Sequence, residues 1–363
     1  MKSNILRLIF IFAGSLIFVS EASAHPAWAI VVDDKNQIYI SDLVKIWKID
    51  TSGEVSVFSE RHTHEMTLSK DGNILGEELH YEPSSQKYTA ALWRITPNGE
   101  FSYILAPTET PPKGISIWKN AGGATYYFGQ TEIEPRENFL LKRSAKGDVK
   151  VLLGDEQKAM NHRQIVPYSF AGMAFAPDGS LFVKNGTTIW KVTLDDRVSV
   201  FVDQLQMSAI VPNTALYGLT VDAENNVYTA DFTNKKVLKI APDKKISIVA
   251  QSEKDWSPTG VYYKNKNLYV LENKTVSSGS NPIVRVRKIG FDGKISTVAT
   301  IGENQSTPLT NSNQQNSSDL VLQSQADEQS GKPCAAVGLM IAASICLIAS
   351  ETRKTNGNKR LKN

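Results

Sequence analysis

A strand–turn–strand unit recurs six times in this chain, and that recurrence limits the fold more than any other feature. The copies are IWKIDTSGEVSVF (46–58), LWRITPNGEFSYI (92–104), LLKRSAKGDVKVL (140–152), IWKVTLDDRVSVF (189–201), VLKIAPDKKISIV (237–249) and VRKIGFDGKISTV (286–298). Each carries a basic marker, Lys48, Arg94, Lys142, Lys191, Lys239 or Lys288, at spacings of 46, 48, 49, 48 and 49. A near-constant period of this length signals a propeller or a solenoid.

A second hairpin precedes each copy. GLTVDAENNVY (218–228), GMAFAPDGSLF (172–182) and AIVVDDKNQIY (29–39) are the clear ones. EMTLSKDGNIL (65–75), GISIWKNAGGATY (114–126) and GVYYKNKNLY (260–269) are looser. Apolar alternation bounded by Gly, Asn and Asp reads as paired strands joined by tight turns. Four strands per unit and six units predict an all-β, six-bladed β-propeller over 25–302. Radial closure would protect its sheet edges.

The Gly-aliphatic-x-aliphatic-Asp pattern, the Asn/Gly-x-aliphatic-Tyr that follows it and the six copies together resemble the NHL-repeat and gluconolactonase-like propellers. The resemblance covers all of 25–302 and implies the fold. Function sits in loops grafted onto such folds and needs its own argument.

The ends read differently. Residues 1–24 carry Lys2 and Arg7, an apolar run over 8–20 and the small residues Ala22, Ser23 and Ala24. That is the pattern of a cleaved secretory signal. Residues 303–333 are rich in Ser, Gln and Asn and read as a flexible linker. Residues 334–350 carry no charge and precede a basic tail, 351–363, with Arg353, Lys354, Lys359, Arg360 and Lys362. This predicts a single-pass transmembrane or sorting helix with a cytoplasmic tail. The expectation is an exported, monomeric propeller at the extracytoplasmic face of a membrane. Cys334 and Cys346 both fall in the apolar segment, so the propeller needs no disulfide. With 40 Lys+Arg against 37 Asp+Glu, nucleic acid is excluded as the main partner.

With the strands of a blade lettered A to D, the long connections are B–C (79–90, 272–284) and D–A (106–113, 154–171, 203–217). In a meander these share one face, where binding is expected. The five histidines, His25, His62, His64, His80 and His162, fall there. Three residues beyond the strand-B aromatic or aliphatic position stand Asp42, Glu78, Asn185, Asp231 and Glu272. Oxygens converging on an axis repel unless a cation or donors compensate them, and Ca²⁺ takes such a cage. Blade 2 adds imidazole that would suit Zn²⁺. The metal candidates are therefore His64, Glu78, His80, Asp231 and Glu272. His64 is the candidate catalytic base. Asp42, Glu65, Lys113, Arg163, Asn185 and Tyr217 are ligand-binding candidates, with Lys113 and Arg163 suited to an anionic substrate. The bland account is that Asp, Asn and Glu end strands and cap turns, and that the histidines are surface groups.

Gluconolactonase-type enzymes place acids and amides just before strand A, where this chain has Trp28, His64, Lys113, Ala171, Tyr217 and Thr259. That departure speaks against a lactonase. Streptogramin lyases place a His before strand A and a Glu at the end of strand B in one blade, as His64 and Glu78 are placed here. Three readings follow. The first is a module binding a small molecule or an extracytoplasmic protein through its loop-rich face, with a divalent cation on the axis. The second is a metal-dependent lyase or hydrolase. The third is a passive scaffold.

Overall fold

The computed structural model describes residues 26, 28–61, 63–82, 87–131, 137–161, 165–167, 172–203, 215–274 and 283–302. They form six antiparallel sheets of four strands. Blade 1 holds β1 (Ile30–Val32), β2 (Ile38–Ser41), β3 (Ile46–Ile49) and β4 (Val55–Ser59). Blade 2 holds β5 (Met66–Leu68), β6 (Ile74–Glu82), β7 (Lys87–Ile95) and β8 (Phe101–Thr108). Blade 3 holds β9 (Thr125–Thr131), β10 (Asn138–Arg143), β11 (Val149–Leu153) and, after helix α1 (Glu156–Asn161), β12 (Ile165–Pro167). Blade 4 holds β13 (Met173–Phe175), β14 (Leu181–Asn185), β15 (Thr188–Val192) and β16 (Val198–Val202). Blade 5 holds β17 (Leu216–Val221), β18 (Val227–Asp231), β19 (Lys236–Ile240) and β20 (Ile246–Gln251). Blade 6 holds β21 (Trp256–Lys264), β22 (Asn267–Lys274), β23 (Ile283–Ile289) and β24 (Ile295–Ile301).

One turn chemistry makes eleven of the twelve hairpins. In each, the first turn residue's carbonyl accepts the N–H three positions on, and its own N–H bonds a carbonyl four positions on. The fourth residue takes positive φ, as at Gly53 (+89°) and Asp196 (+65°). This is a type I turn closed by a bulge, whose twist suits paired strands. Where the first residue is Asp, its carboxylate ties the loop. Asp50 Oδ1 accepts the N–H groups of Ser52 at 2.8 Å and Glu54 at 2.9 Å. The twelfth hairpin turns on Asn265 and Lys266, both at positive φ. A register shift recurs in every pairing of the third strand with the outer one, as at Ile46/Trp47 and Ile189/Trp190. Such bulges twist an edge away from further pairing.

Apolar side chains fill the seams between blades. Met66 and Ile74 of blade 2 pack with Val31 and Ile46 of blade 1. Met173 and Leu181 of blade 4 pack with Tyr126 and Phe128 of blade 3. Ala174 and Phe182 meet Leu219 and Val227 across the 4–5 seam. Ala230 and Val237 meet Leu268 and Val270 across the 5–6 seam. The ring closes where Ile30, Val32 and Ile40 of blade 1 pack on Leu271, Val284 and Val286 of blade 6. The Lys264–Asp34 ion pair, 2.5 Å, bridges the same seam. Each fully buried aliphatic chain contributes about 1.5–3 kcal/mol, so these seams dominate the hold between blades.

Two expectations need correction. The 114–126 hairpin of blade 3 makes only an isolated bridge, Lys119–Thr125. The other end of β9 is paired by β12, with Ile165 opposite Thr131 and Pro167 opposite Gly129. The glycines Gly114, Gly122 and Gly123 break the run that a continuous strand would need. Residues 79–82 and 87–90 belong to strands. β6 and β7 continue as a ladder to Glu82 opposite Lys87, so His80 stands on a projecting two-stranded ribbon.

The expected signal (1–24), linker (303–333), apolar segment (334–350) and tail (351–363) lie outside the described residues. Among the described residues no helix is long and apolar enough to cross a membrane.

Candidate functional site

The seam between blades 2 and 3 is built unlike the others. Among the described residues no apolar cluster spans it. A cleft of ≈ 830 Å³, counted to its open mouth, lies there instead. Leu79, Ala90, Ala91, Leu92 and Leu105 of blade 2 form one wall; Pro111, Pro112, Ile115, Tyr127 and Leu141 form the other. His64, Glu65, Glu77 and Glu78 line it as well. A second cavity lies among the inner strands of blades 1, 2, 4, 5 and 6, with Trp118 on its wall. Glu65 lines both the cleft and the second cavity.

The strand geometry explains why charge collects there. Glu65 sits immediately before β5, at the inner end of blade 2. Glu77 lies in β6 opposite Leu92, on the face turned to blade 3. Both carboxyl groups are enclosed by protein, and each residue keeps some surface on the cavities. Burial, then the charge of Glu77, raises Glu65 well above the usual carboxylate range; Lys184 and a hydrogen bond with Trp118 act the other way. Burial pushes Glu77 up to about 7. Burial and then Glu77 raise Tyr127. Lys184, on β14, is 1 % exposed, and its Nζ donates to the Leu216 carbonyl at 3.0 Å. Burial lowers its ammonium to about 8, against the opposing pull of Glu65. Burial thus shifts two carboxyl groups upward and an amine downward, at a site bordered by apolar walls.

Imidazole stands beside this group. The His64 ring lies 5.4 Å from that of Trp28. Trp28 in turn lies 5.7 Å from Tyr217, and Tyr217 5.6 Å from Phe232. These rings come from the segments that enter blades 1, 2 and 5 and leave β18, so the aromatic run crosses several blades.

The sequence-derived candidates fall into separate places. His64, Glu65 and Glu78 line the cleft, and Tyr217 belongs to the aromatic run. His80 is exposed on the ribbon. Asp42 is spent on its own loop: Oδ1 accepts from the N–H groups of Val44 and Lys45, and Oδ2 from the Trp47 indole at 2.6 Å. Asp231, 0 % exposed, accepts from the N–H and side-chain amide of Asn234. Asn185 ends β14 opposite Thr188. Glu272 is clasped by Arg285 Nε at 2.5 Å and Arg287 Nη2 at 2.9 Å, and takes a hydrogen bond from Ser252. Lys113 Nζ donates to the carbonyls of Ala159 and Met160, at the C-terminal end of α1. It braces the helix and is not free for a substrate. Arg163 lies outside the described residues.

The five metal candidates are therefore not gathered. Among the described residues no three His, Cys, Asp or Glu side chains are grouped so as to hold a metal ion. The oxygens at the strand-B ends tie loops and neighbouring strands, and the axial cage expected from the sequence is corrected accordingly.

Glu77, Lys184 and Tyr127 were missed by the sequence reading. The signal lay one position away. Two residues beyond the strand-B aromatic or aliphatic position stand Ser41, Glu77, Phe128, Lys184, Ala230 and Leu271. Glu77 and Lys184 are the two charges in a column otherwise small or apolar.

Six four-stranded sheets closing on one another define a six-bladed β-propeller with a side cleft running to its axis. No family model and no curated protein matches the chain. Solved propellers are similar in fold. A virginiamycin B lyase from Staphylococcus aureus shares 15% identity over 75% of this chain and 83% of its own, with a TM-score of 0.43. A gluconolactonase from Xanthomonas campestris shares 12% over 69% and 84%, with a TM-score of 0.48. A calcium-binding regucalcin from Agrobacterium tumefaciens shares 15% over 69% and 83%, with a TM-score of 0.45.

Proposed function

We propose that this propeller is an exported binding module for a small molecule, taken up in the cleft between blades 2 and 3 with its polar end at Glu65 and Glu77. One observation carries the reading: the seam that lacks an apolar cluster among the described residues is lined by Glu65 and Glu77, two carboxyl groups enclosed by protein. An apolar pocket with a few convergent polar groups is the usual form of a ligand site. Export and tethering belong to the same proposal and rest on the sequence of 1–24 and 334–350.

The test fills the cleft. Ala90→Phe puts a bulky ring on the face of β7 that also carries Leu92, opposite Leu79, and all three residues line the cleft. A small-molecule thermal-shift screen on the wild type should find compounds that raise Tm and leave the variant's Tm unmoved. Equal responses in both proteins would place binding elsewhere.

A second reading has one observation in its favour. Glu77, held near 7 beside His64, is poised to pass a proton at neutral pH, as a lyase or hydrolase requires. Turnover of a ligand found by the screen, abolished in Glu77→Gln with binding retained, would favour the enzyme.

A further inference from the structure

In every blade a five-residue turn joins the strand with the basic marker to the outer strand: 50–54, 96–100, 144–148, 193–197, 241–245 and 290–294. The six turns share one hydrogen-bond pattern and differ in two columns. The second residue is Thr51, Pro97 and Ala145 in blades 1 to 3, but Leu194, Pro242 and Phe291 in blades 4 to 6. The fifth is Glu54, Glu100 and Asp148 in the first three, but Arg197, Lys245 and Lys294 in the last three. One half of this rim is closed by acids behind small tips. The other is closed by bases behind larger apolar ones.

The apolar tips are bare. Phe291 is 85 % exposed and Leu194 71 %, and Ile295, next to the blade 6 turn, is 40 % exposed. Arg197 is paired with Asp195 at 2.7 Å, so the cations at issue are those of blades 5 and 6. The turn-bearing ends of these two blades lie side by side. Thr220 Oγ1 accepts the Tyr263 N–H at 3.0 Å, and the rings of Tyr228 and Tyr263 stack at 6.0 Å. Segments 222–226, 239–245, 264–267 and 288–294 make up that end and carry seven lysines against four acids. Asp222 is buried and spent on Asn226 and Tyr228. Asp243 and Asp292 each take the N–H of the lysine that ends their own turn. Among the described residues only Lys264 of the seven is held in an ion pair, with Asp34 of blade 1.

We propose that the turns of blades 5 and 6, with Leu194 beside them, rest on an anionic lipid membrane, Phe291 entering the headgroup layer and the lysines meeting lipid phosphate. An aromatic tip among ammonium groups at one level is the chemistry of that interface, where apolar side chains sit just below the phosphates that lysines attract. A second copy of the chain would match the charges, acid half to basic half. It would also set Phe291 and Leu194 against Thr51 and Ala145, which offer little apolar surface. The cleft is not covered by such docking. Leu79 and Ala90, which line it, pair at the ends of β6 and β7 that lie away from the 69–73 and 96–100 turns.

The test places the full chain in vesicles of phosphatidylcholine, alone or mixed with phosphatidylglycerol, with bromine on the acyl chains as a quencher. Phe291→Trp is read against Thr51→Trp, the same turn position in blade 1. In the anionic vesicles the added emission of Phe291→Trp should shift to the blue and be quenched, while that of Thr51→Trp is not. The effect should be lost in phosphatidylcholine alone. It should also be lost at about 1 M salt, where the screening length falls to about 3 Å. Adding Lys244→Glu, Lys245→Glu and Lys294→Glu to Phe291→Trp should abolish it too, with thermal melts showing that the fold is kept. Vesicles that carry the chain while Phe291→Trp stays unquenched would leave the tether standing and overturn the docking. Equal quenching of Thr51→Trp, or equal quenching in neutral lipid, would overturn it as well. A blue shift of Phe291→Trp that grows with protein concentration in the absence of lipid would assign the turn to a contact between copies instead.

Discussion

Glu272 and Arg285 face each other across the β22–β23 ladder, with 2.5 Å between Oε2 and Nε, where Glu272 has no exposed surface. Arg287 holds the other oxygen. The guanidinium of Arg285 also lies 4.2 Å over the Trp256 ring. Breaking such a pair from one side leaves two buried cations with only the exposed Glu253 carboxylate as counter-charge. Glu272→Gln should cost about 3–5 kcal/mol in urea unfolding. A loss under about 1 kcal/mol would mean that water reaches the arginines.

Glu77 makes stability depend on pH. Its carboxyl binds a proton up to about 7 in the folded chain, against an ordinary value of 4.5. The folded state therefore keeps a proton that the unfolded state has lost, and stability falls as pH rises from about 4.5 through 7. The drop is roughly 3 kcal/mol. Denaturant titrations across this window should show the fall in the wild type and a shallower one in Glu77→Gln. Glu65 contributes with the same sign.

Lys184 acts at higher pH with the opposite slope. Its ammonium is lowered from 10.5 to about 8. Above 10.5 both states are neutral and the penalty of burying a charge is absent. The penalty builds as pH falls below 10.5 and is complete below about 8. Between those limits the wild type should gain roughly 3 kcal/mol relative to Lys184→Met, read as a difference of unfolding free energies at each pH. A constant difference would refute the lowered value.

Gly76 is required by packing. A Cβ there would lie 2.0 Å from the six-membered ring of Trp93, a side chain with no exposed surface. The ring cannot yield without disturbing the 1–2 seam. Gly76→Ala should lose about 1–3 kcal/mol or more of stability, whereas Gly99→Ala, with no atom within 4 Å, should pay only for its backbone conformation at φ +89°. Thermal melts of the pair separate crowding from backbone strain.

The fold was legible because its rules are local and repeated. Eleven hairpins use one turn, and each turn announces itself by a residue suited to positive φ after a short polar run. Blade 3 escaped because its inner strand is completed by Ile165–Pro167, from the far side of α1. No pattern within 114–126 could report a partner so distant. The site was legible only in part. His64 and Glu78 were expected at one end of the blade 2 hairpin with His80, and His64 and Glu78 both line the cleft while His80 is exposed on the ribbon. Asp42, Asp231 and Glu272 were grouped with them because the repeat brings oxygens to equivalent rungs. Equivalence in a ring does not mean convergence: each rung faces its own seam, and there Trp47, Asn234 and the two arginines satisfy the oxygens locally. Glu77 and Lys184 stand out only when the blades are laid over one another column by column.

Among the described residues every strand pairing stays inside one blade, each blade follows the order of the chain, and no pairing joins the first blade to the last. Val32 and Val284 meet there through side chains, as Leu219 and Phe182 do between blades 4 and 5. The ring thus has no privileged starting point in its hydrogen bonding. A circularly permuted chain, opened in the 203–215 connection and rejoined between blades 6 and 1, would keep all six sheets intact. Its order of synthesis would change while its architecture would not.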